Sequence, residues 1–214
     1  MTLITLIISV IPFIVVISLG YKNYTIALIC GVLAGFIALP VETLLQFTPN
    51  YVSGYTSIFV SAFVCAAIPE EILKFSILMF TKLKVQNPRE IVILLILTGL
   101  GFGTIENILY IIHHDAKNTD LPVIILMILR VLLPLSMHML CGAIAATGIL
   151  FKNFNKPIGV TLAIIFHGLY NAVVIRQLDL ISNRLVIAML FFGIIILAII
   201  LRLASNAQYK NSTT

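Results

Sequence analysis

Charged residues are scarce in this chain, and tryptophan is absent. Only 10% of the 214 residues are Asp, Glu, Lys or Arg, whereas 61% are hydrophobic. Soluble domains carry roughly a quarter charged residues, so this composition excludes an ordinary soluble protein and indicates a polytopic membrane protein. Three cysteines, an odd number within apolar stretches, argue against a disulfide framework. The net charge of +5 is scattered over loops, which does not favour a nucleic-acid partner.

Long apolar stretches fill most of the chain. Each has about the length that a helix needs to cross the hydrocarbon core of a bilayer. In lipid the backbone polar groups must bond within their own segment, so stretches of this length are expected to be helices. The pattern predicts an all-α, polytopic transmembrane bundle with about seven spans, at 3–19, 26–46, 58–80, 91–112, 123–151, 158–176 and 185–203. Residues 1–204 are then one membrane domain, followed by a polar tail at 205–214.

The loops and chain ends carry cations unevenly. One side of the predicted bundle collects eight of them, Lys22, Lys82, Lys84, Arg89, Lys152, Lys156, Arg202 and Lys210. The other side collects Lys117, Arg176 and Arg184. The positive-inside rule places the first set in the cytoplasm, so we expect an outer N-terminus and a cytoplasmic C-terminus. The first apolar stretch lacks a basic start and a small-residue cleavage site, and is expected to remain as a helix.

Several ionisable side chains fall inside the predicted spans and need an explanation. They are Glu70, Glu71, Lys74, Glu106, Arg130, His138 and His167. A single charge near a helix centre costs about 3 kcal/mol on membrane-insertion scales. These groups are therefore expected to meet one another, a metal ion or a hydrated cavity.

The positions of these groups predict that they meet. Counting at about 1.5 Å per residue from the predicted helix ends places Glu71, His138 and His167 at a common depth, slightly nearer the cytoplasmic face, and Glu106 somewhat nearer the outer face. Lys74 follows Glu70 by four residues and Glu71 by three, so its ammonium can reach either carboxylate. His167 and Asn171 are also four apart and share a helix face. We expect four helices to direct carboxylates and imidazoles at a common point.

Such a set of side chains suits hydrolysis. Three of them can hold Zn²⁺ and leave a position for water, whose pKa the metal lowers towards neutrality. A remaining glutamate can take the proton of that water, and Asn171 or Arg130 could stabilise the oxyanion. The same groups could also activate water without a metal. An ion- or proton-coupled transporter that uses them as a relay is the alternative from another functional class, although the chain lacks the paired repeats typical of transporters.

Four motifs resemble those of the PrsW-type intramembrane proteases, and they occur in the family's order. They are EEILK at 70–74, FGTIEN at 102–107, RVLLPLSMHMLCG at 130–142 and HGLYN at 167–171. The motif-bearing core covers about 58–176. The CAAX prenyl proteases and bacteriocin-processing membrane proteases are more distantly similar. In those relatives the basic residue is an arginine that lies one position further from the glutamate pair than Lys74 does, and a histidine stands in place of Glu106. Both differences favour the PrsW-type proteases.

This resemblance implies a membrane-embedded peptidase of the bacterial cell membrane. Its expected substrate is a membrane protein, such as an anti-sigma factor. We predict that Glu106, His138 and His167 bind a divalent metal ion, expected to be Zn²⁺. Glu71, supported by Glu70 and Lys74, is the predicted general base, and Asn171 and Arg130 are further catalytic candidates. Two other titratable features are assigned no role in the site. The HHD sequence at 113–115 is interpreted as a solvated turn, and Glu42 as an interfacial residue.

Overall fold

The computed structural model describes residues 10–11, 13–45, 54–85, 87–113, 133–150, 156–175, 188, 191, 193–200 and 202. The main elements within these ranges are all helical, which confirms the predicted fold class for the described part of the chain. They are α1 (Lys22–Leu45), α2 (Gly54–Phe59), a π-helical segment (Val60–Ala67), α3 (Ile68–Phe80), α4 (Pro88–His113), α5 (Pro134–Leu150) and α6 (Lys156–Ile175). Residues 13–18 and 193–200 are also helical.

Three of these helices are long and apolar enough to cross a membrane. They are α1, the Pro88–Tyr110 part of α4, and the Lys156–Val174 part of α6. The apolar helix α5 is shorter, with 17 residues. The segments α2, π and α3 follow one another without a break over 54–80. The count of seven spans remains a prediction, because the stretches at 3–19 and 185–203 fall partly outside the described residues.

The outward faces of α1 and α6 are apolar. Large hydrophobic side chains are exposed at every third or fourth position on these helices: Ile29, Leu33, Phe36, Ile158, Leu162, Ile165 and Leu169. A soluble helical protein carries charged and polar residues on the corresponding faces. An apolar outer surface at helical spacing is what a lipid environment requires.

The helices form a closed ring, and α4 is the most buried of its three long helices. Helix α4 packs against α1 on one side and α5 on the other, α5 packs against α6, α6 against the π-helical segment, and α3 against α1. In the most apolar stretch of α4, 72% of the residues are buried, compared with 39% in the corresponding stretch of α1 and 28% in that of α6. This ring surrounds the side chains of α3 that point inwards.

The π-helical segment leads directly into the part of the chain that carries Glu70 and Glu71. It ends with the amide of Ile68 bonded to the carbonyl of Phe63, an i to i−5 bond. Pro69 follows, and a proline ring inside an α-helix clashes with the carbonyl four residues earlier and leaves it without a donor. The wider π-turn accommodates this proline, and short π segments are often found beside functional sites.

Cations collect at one end of the ring. The Asn23 side chain reaches both the carbonyl of Lys84 and the carboxylate of Glu90. Lys82 and Lys156 line one cavity at this end. Lys22 and Arg89 line another. The three cations predicted for the opposite side, Lys117, Arg176 and Arg184, lie outside the described residues.

Glycines allow α4 to approach α5 closely. A Cβ atom on Gly99 would overlap the carbonyl group of His138, and one on Gly142 would overlap that of Leu95. Backbone atoms on the partner helix cannot move aside as the end of a side chain can. Both glycines are therefore required for the packing that places His138 against α4.

We expect Gly99→Ala and Gly142→Ala each to lower the free energy of unfolding by about 1–3 kcal/mol or more, because an overpacked interface forces the helices apart. Denaturation in mixed micelles measures this. Gly193→Ala is the matched control, since a Cβ there would meet the end of the Leu140 side chain, which can rotate away. Equal stability of all three variants would contradict the close approach.

Candidate active site

Helix α3 supplies three charged side chains to the interior of the ring. Glu70, Glu71 and Lys74 are only 5%, 3% and 4% exposed. Burying an isolated ion costs several kcal/mol, so such groups need partners that compensate their charge. Their partners come from α1, α4, α5 and α6.

Glu71 links Lys74 to His167. Its Oε1 atom accepts a hydrogen bond from Lys74 Nζ at 2.5 Å and lies 2.7 Å from Nδ1 of His167. An ionised carboxylate only accepts hydrogen bonds, so Nδ1 of His167 carries the hydrogen. The other ring nitrogen, Nε2, then presents a lone pair. Glu71 thus fixes both the orientation and the tautomer of His167.

His138 is held in a similar way by α4. Its Nε2 lies 2.5 Å from Oε2 of Glu106, and its Nδ1 lies 3.1 Å from Lys74 Nζ. Nε2 therefore donates to the carboxylate, and Nδ1 accepts from the ammonium. The side chain of His138 is 1% exposed and that of Glu106 is 40% exposed. The site reaches the protein surface at Glu106.

Glu70 faces both imidazoles. Its Oε2 atom lies 3.9 Å from Nδ1 of His138 and 3.8 Å from Nε2 of His167. This oxygen is buried and has no hydrogen-bond partner among the residues that the structure describes. A buried polar atom left without a partner costs about 1–3 kcal/mol. Three acceptor atoms on three different helices therefore surround one point, which suits a cation or a water molecule.

The ring of Phe102 packs against both the Lys74 ammonium and the imidazole of His138. The Lys74 ammonium lies 4.6 Å from the centre of its ring, and the ring centres of Phe102 and His138 are 4.9 Å apart. The two imidazoles meet edge to face at 5.1 Å. Phe102 precedes Glu106 by four residues on α4, so the two share a helix face. The F-x-x-x-E spacing therefore brings an aromatic ring and a carboxylate to the same site.

Glu42 also belongs to this cluster, and the assignment of Glu42 to the membrane interface was wrong. Its carboxylate is close enough to Glu70, Glu106 and Lys74 to interact with them electrostatically. It is half-buried. The sequence signal for Glu42 was a carboxylate within the apolar stretch LPVETLLQF, the same kind of signal that identified Glu70. Glu42 was assigned to the interface because it lies close to a predicted helix end.

Other candidates are placed less fully. Asn171 is half-buried one turn after His167 on α6. Arg130 lies outside the described residues, as do His114 and Asp115 of the HHD sequence.

The ends of the described helices indicate the depth of the site. Helix α5 begins at Pro134, so His138 lies about 6 Å from its start, and residues 123–132 of the predicted span lie outside the described part of the chain. Pro134 has no amide hydrogen and suits the first position of a helix. Glu42 lies about 5 Å from the end of α1. Both of these ends are opposite to the cationic end, so the site lies nearer that opposite end.

Two groups of side chains have donor atoms close enough to share a metal ion. One is Glu70, His138 and His167, and the other is Glu71, Cys141 and His167. Zinc ligands at about 2.1 Å in a tetrahedron lie about 3.4 Å from each other, close to the 3.8 and 3.9 Å distances measured from Glu70. The partnerless Oε2 of Glu70 favours the first group. In the second, Oε1 of Glu71 already accepts hydrogen bonds from both Lys74 and His167.

Comparison with known proteins fits this arrangement. The model of the PrsW family of intramembrane metalloproteases matches residues 20–202. The chain belongs to this family. The Protease PrsW of Oceanobacillus iheyensis is 29% identical over 150 residues, a match that spans 65% of this chain and 66% of that relative. No solved structure shows a significant match.

Membership of the PrsW family confirms the resemblance drawn from the four motifs. The family match also includes Glu42 and the whole of α1. Together with the three apolar helices that can span a bilayer, it makes the chain an integral membrane protein. The description of PrsW proteins as metalloproteases agrees with a group of buried carboxylate and imidazole donors around one point.

Proposed function

We propose that this protein is an intramembrane endopeptidase that hydrolyses a peptide bond of a membrane protein. The observation that carries the proposal is the convergence of Glu70 Oε2, His138 Nδ1 and His167 Nε2. Each imidazole is oriented by a carboxylate on its far nitrogen. Ion ligands in proteins are commonly held by such carboxylate–histidine pairs.

Glu70, His138 and His167 are the residues that we propose as metal ligands. Glu70 replaces the Glu106 predicted from the sequence, because Glu106 lies on the opposite nitrogen of His138 from Glu70. A divalent ion, expected to be Zn²⁺, would act as a Lewis acid on the scissile carbonyl and lower the pKa of water. Glu106 and Glu71 then serve to orient the two histidines.

Lys74 has a second partner that supports a metal-free variant of the same mechanism. Its ammonium lies 3.1 Å from Nδ1 of His138, the atom that an ion would need. Without an ion, Glu70 is the group best placed to take a proton from water, because its Oε2 has no other partner. In that variant Lys74 balances the charge of Glu71, and His138 and His167 position the water.

Water and substrate must reach this layer. A void of about 10 Å³ lies beside Glu71 and Lys74, bordered by Gly99 and Gly142, and it is large enough for about one water molecule. The partly exposed Glu106 carboxylate marks the side from which substrate would enter. We place Asn171 as a donor to the oxyanion and keep Arg130 as a further candidate.

The sidedness of the bundle supports a location for cleavage. If the cationic end is cytoplasmic, as the positive-inside rule states, the N-terminus is outside and the site lies nearer the outer face of a bacterial cell membrane. An anti-sigma factor is a substrate class that the family resemblance suggests. Regulatory membrane proteins with a cleavable segment near the outer leaflet are therefore the first substrates to test.

The test is cleavage by the full chain in proteoliposomes. The probes are single-span membrane peptides that carry a quenched fluorophore pair. We expect the wild-type protein to cleave at least one of them and His167→Ala to lose about 10²–10⁴-fold in kcat, since a positioned acid–base or ligand group typically contributes that much. Glu71→Gln should lose less, because Glu71 acts through His167. Ion flux without cleavage would instead support the transporter.

Metal analysis on the same samples decides the mechanism. We expect one zinc ion per chain in the wild-type protein, little in His138→Ala or His167→Ala, and loss of activity with a chelator that added Zn²⁺ restores. A metal-free preparation with full activity would rule out the ion and leave the glutamate–histidine scheme.

A further inference from the structure

A cavity with an apolar wall and two lysines lies at the cationic end of the ring. Its volume is about 160 Å³, and all four helices that carry the active-site motifs contribute to its lining. Leu78 comes from α3, Leu94 from α4 and Ile149 from α5. Lys156, the first residue of α6, and Lys82, which follows α3, complete it. The proposed mechanism does not use this cavity, since the active site lies nearer the other end of the ring.

The wall of the cavity suits a hydrocarbon chain. Leu78 and Leu94 are only 4% and 2% exposed, so the cavity reaches the buried core of the ring. An apolar cavity of about 150 Å³ can take a molecule of the size of benzene. A space of this size therefore holds about six carbon atoms of an acyl chain.

The charge around the cavity is of one sign. Lys82 and Lys156 are both exposed, and the lining contains no acidic side chain among the residues that the structure describes. Glu90, a carboxylate at the same end of the ring, accepts a hydrogen bond from Asn23 in the neighbouring cavity. A lysine covers apolar surface with its stem while its ammonium stays in the polar layer. Two such residues at the rim of an apolar space suit an anion that carries a hydrocarbon chain.

The backbone of Lys82 has a conformation that lysine rarely adopts. Its φ is 49°, and it is the only residue other than glycine with a positive φ in the described part of the chain. The left-handed region is costly for a residue with a Cβ atom, and helices that end in this conformation usually have glycine there. Strained residues of this kind are often found at ligand-binding sites. The amide of Lys82 donates to the carbonyl of Met79, which ties the turn to the end of α3.

We propose that this cavity binds an anionic phospholipid, with the phosphate at Lys82 and Lys156 and the first part of an acyl chain against Leu78 and Leu94. Basic pockets between membrane helices on the cytoplasmic side commonly bind such headgroups. The positive-inside rule assigns this end of the ring to the cytoplasm. A soluble phosphate would leave the apolar wall uncovered, so the lipid is the source of phosphate that fits both parts of the cavity.

A lipid at this position would connect two helices that meet in the active site. It would join the end of α3 to the start of α6, and these helices contribute Glu71 and His167, which lie 2.7 Å apart. Leu78 also follows Lys74 by four residues, about one helical turn. The lipid would therefore stabilise the ring as a whole. The inference does not depend on the proposed peptidase activity, and its test needs none.

The test measures lipid binding by the full chain in micelles of a neutral detergent. The probes are phosphatidylglycerol and phosphatidylcholine with identical acyl chains. Native mass spectrometry counts the bound lipids, and circular dichroism gives the unfolding midpoint. We expect the wild-type chain to prefer phosphatidylglycerol, and its midpoint to rise with this lipid, because a ligand that binds only the folded state stabilises it. Lys82→Met and Lys156→Met should each weaken phosphatidylglycerol binding by about fivefold, and together by about 30-fold.

The other cationic cavity at this end supplies the matched control. Lys22→Met combined with Arg89→Met removes the same charge, and should change the binding by less than about twofold at physiological salt, where exposed charges outside the site are largely screened. Lys82→Arg and Lys156→Arg keep the charge and should keep the binding, which separates lost charge from altered packing. Without phospholipid every variant should unfold at the wild-type midpoint, because these side chains are exposed. If Lys82→Met does not fold, the fivefold loss expected for Lys156→Met decides.

Three results would overturn the proposal. Equal binding of the two lipids by the wild-type chain would show that the lysines do not select an anion. Equal losses in the two double variants would mean diffuse attraction to the cationic end instead of a site. A rise of the midpoint with glycerol 3-phosphate as large as that with phosphatidylglycerol would show that the site takes a soluble phosphate and that the apolar wall contributes nothing.

Discussion

Glu70→Gln is expected to lower kcat by about 10²–10⁴-fold while the protein stays folded. Glutamine has nearly the same shape as glutamate, so the packing of α3 should survive. It lacks the negative charge that attracts an ion and the basicity that takes a proton from water. The loss should appear in kcat with the membrane-peptide probes, since no recognition of substrate is assigned to this buried side chain.

The neighbouring residue provides the comparison that makes this prediction sharp. Glu71→Gln is expected to lose only about 10–100-fold, because Glu71 orients His167 and does not face the reacting point. A general base at Glu71, as predicted from the sequence, would reverse this order. If Glu71→Gln is the more damaging change, the assignment of the two adjacent glutamates must be exchanged. Circular dichroism and unfolding midpoints confirm that each variant is folded.

Lys74→Met is expected to lower the free energy of unfolding by about 3–5 kcal/mol. Methionine fills a similar volume, but it removes the ammonium that balances Glu71, at 2.5 Å, in a fully buried position. It also removes the donor to Nδ1 of His138. A buried carboxylate without its cation is among the most damaging defects that one substitution can create. Denaturant titration in mixed micelles measures the change.

A double variant separates lost charge balance from lost packing. Lys74→Met combined with Glu71→Gln removes both charges, so it should be more stable than Lys74→Met alone, because replacing a whole buried ion pair is often nearly neutral. Lys82→Met is the control for loss of a lysine, since Lys82 is exposed just after α3, and its effect should stay within about 0.5 kcal/mol. A double variant as unstable as Lys74→Met would mean that the methionine itself is poorly packed.

The helices that carry the site could be predicted because ionisable side chains are rare and costly within membrane spans. In an apolar stretch, a carboxylate or an imidazole is costly enough to require a reason, and Glu70, Glu71, Lys74, Glu106, His138 and His167 were all found by this argument. The structure brings all six together. Their roles could not be ranked in the same way, because spacing along a helix does not say which oxygen or nitrogen faces which partner.

Residues near helix ends were the ones that sequence reasoning misjudged. Glu42 lies close to the end of α1, where a long side chain can usually reach water, and the packing of α1 against α3 turns it inwards instead. For α5, the predicted span 123–151 begins among residues that lie outside the described part of the chain, and the described helix begins at Pro134. Hydropathy measures the solvent that a segment prefers, and it does not mark where the backbone changes direction.

The sequence by itself determined that the chain is an all-helical membrane protein and that buried carboxylates and imidazoles must meet within it, since in lipid both backbone and charge have few permitted solutions. Only the tertiary structure decided that Glu70 faces both histidines, and that Glu71 and Glu106 hold those histidines from behind. These are statements about which atoms on different helices lie within hydrogen-bond distance or, for Glu70, 3.8 and 3.9 Å of each other. Such distances depend on how the helices rotate and cross, and that is set by the glycine contacts and side-chain packing of the whole ring.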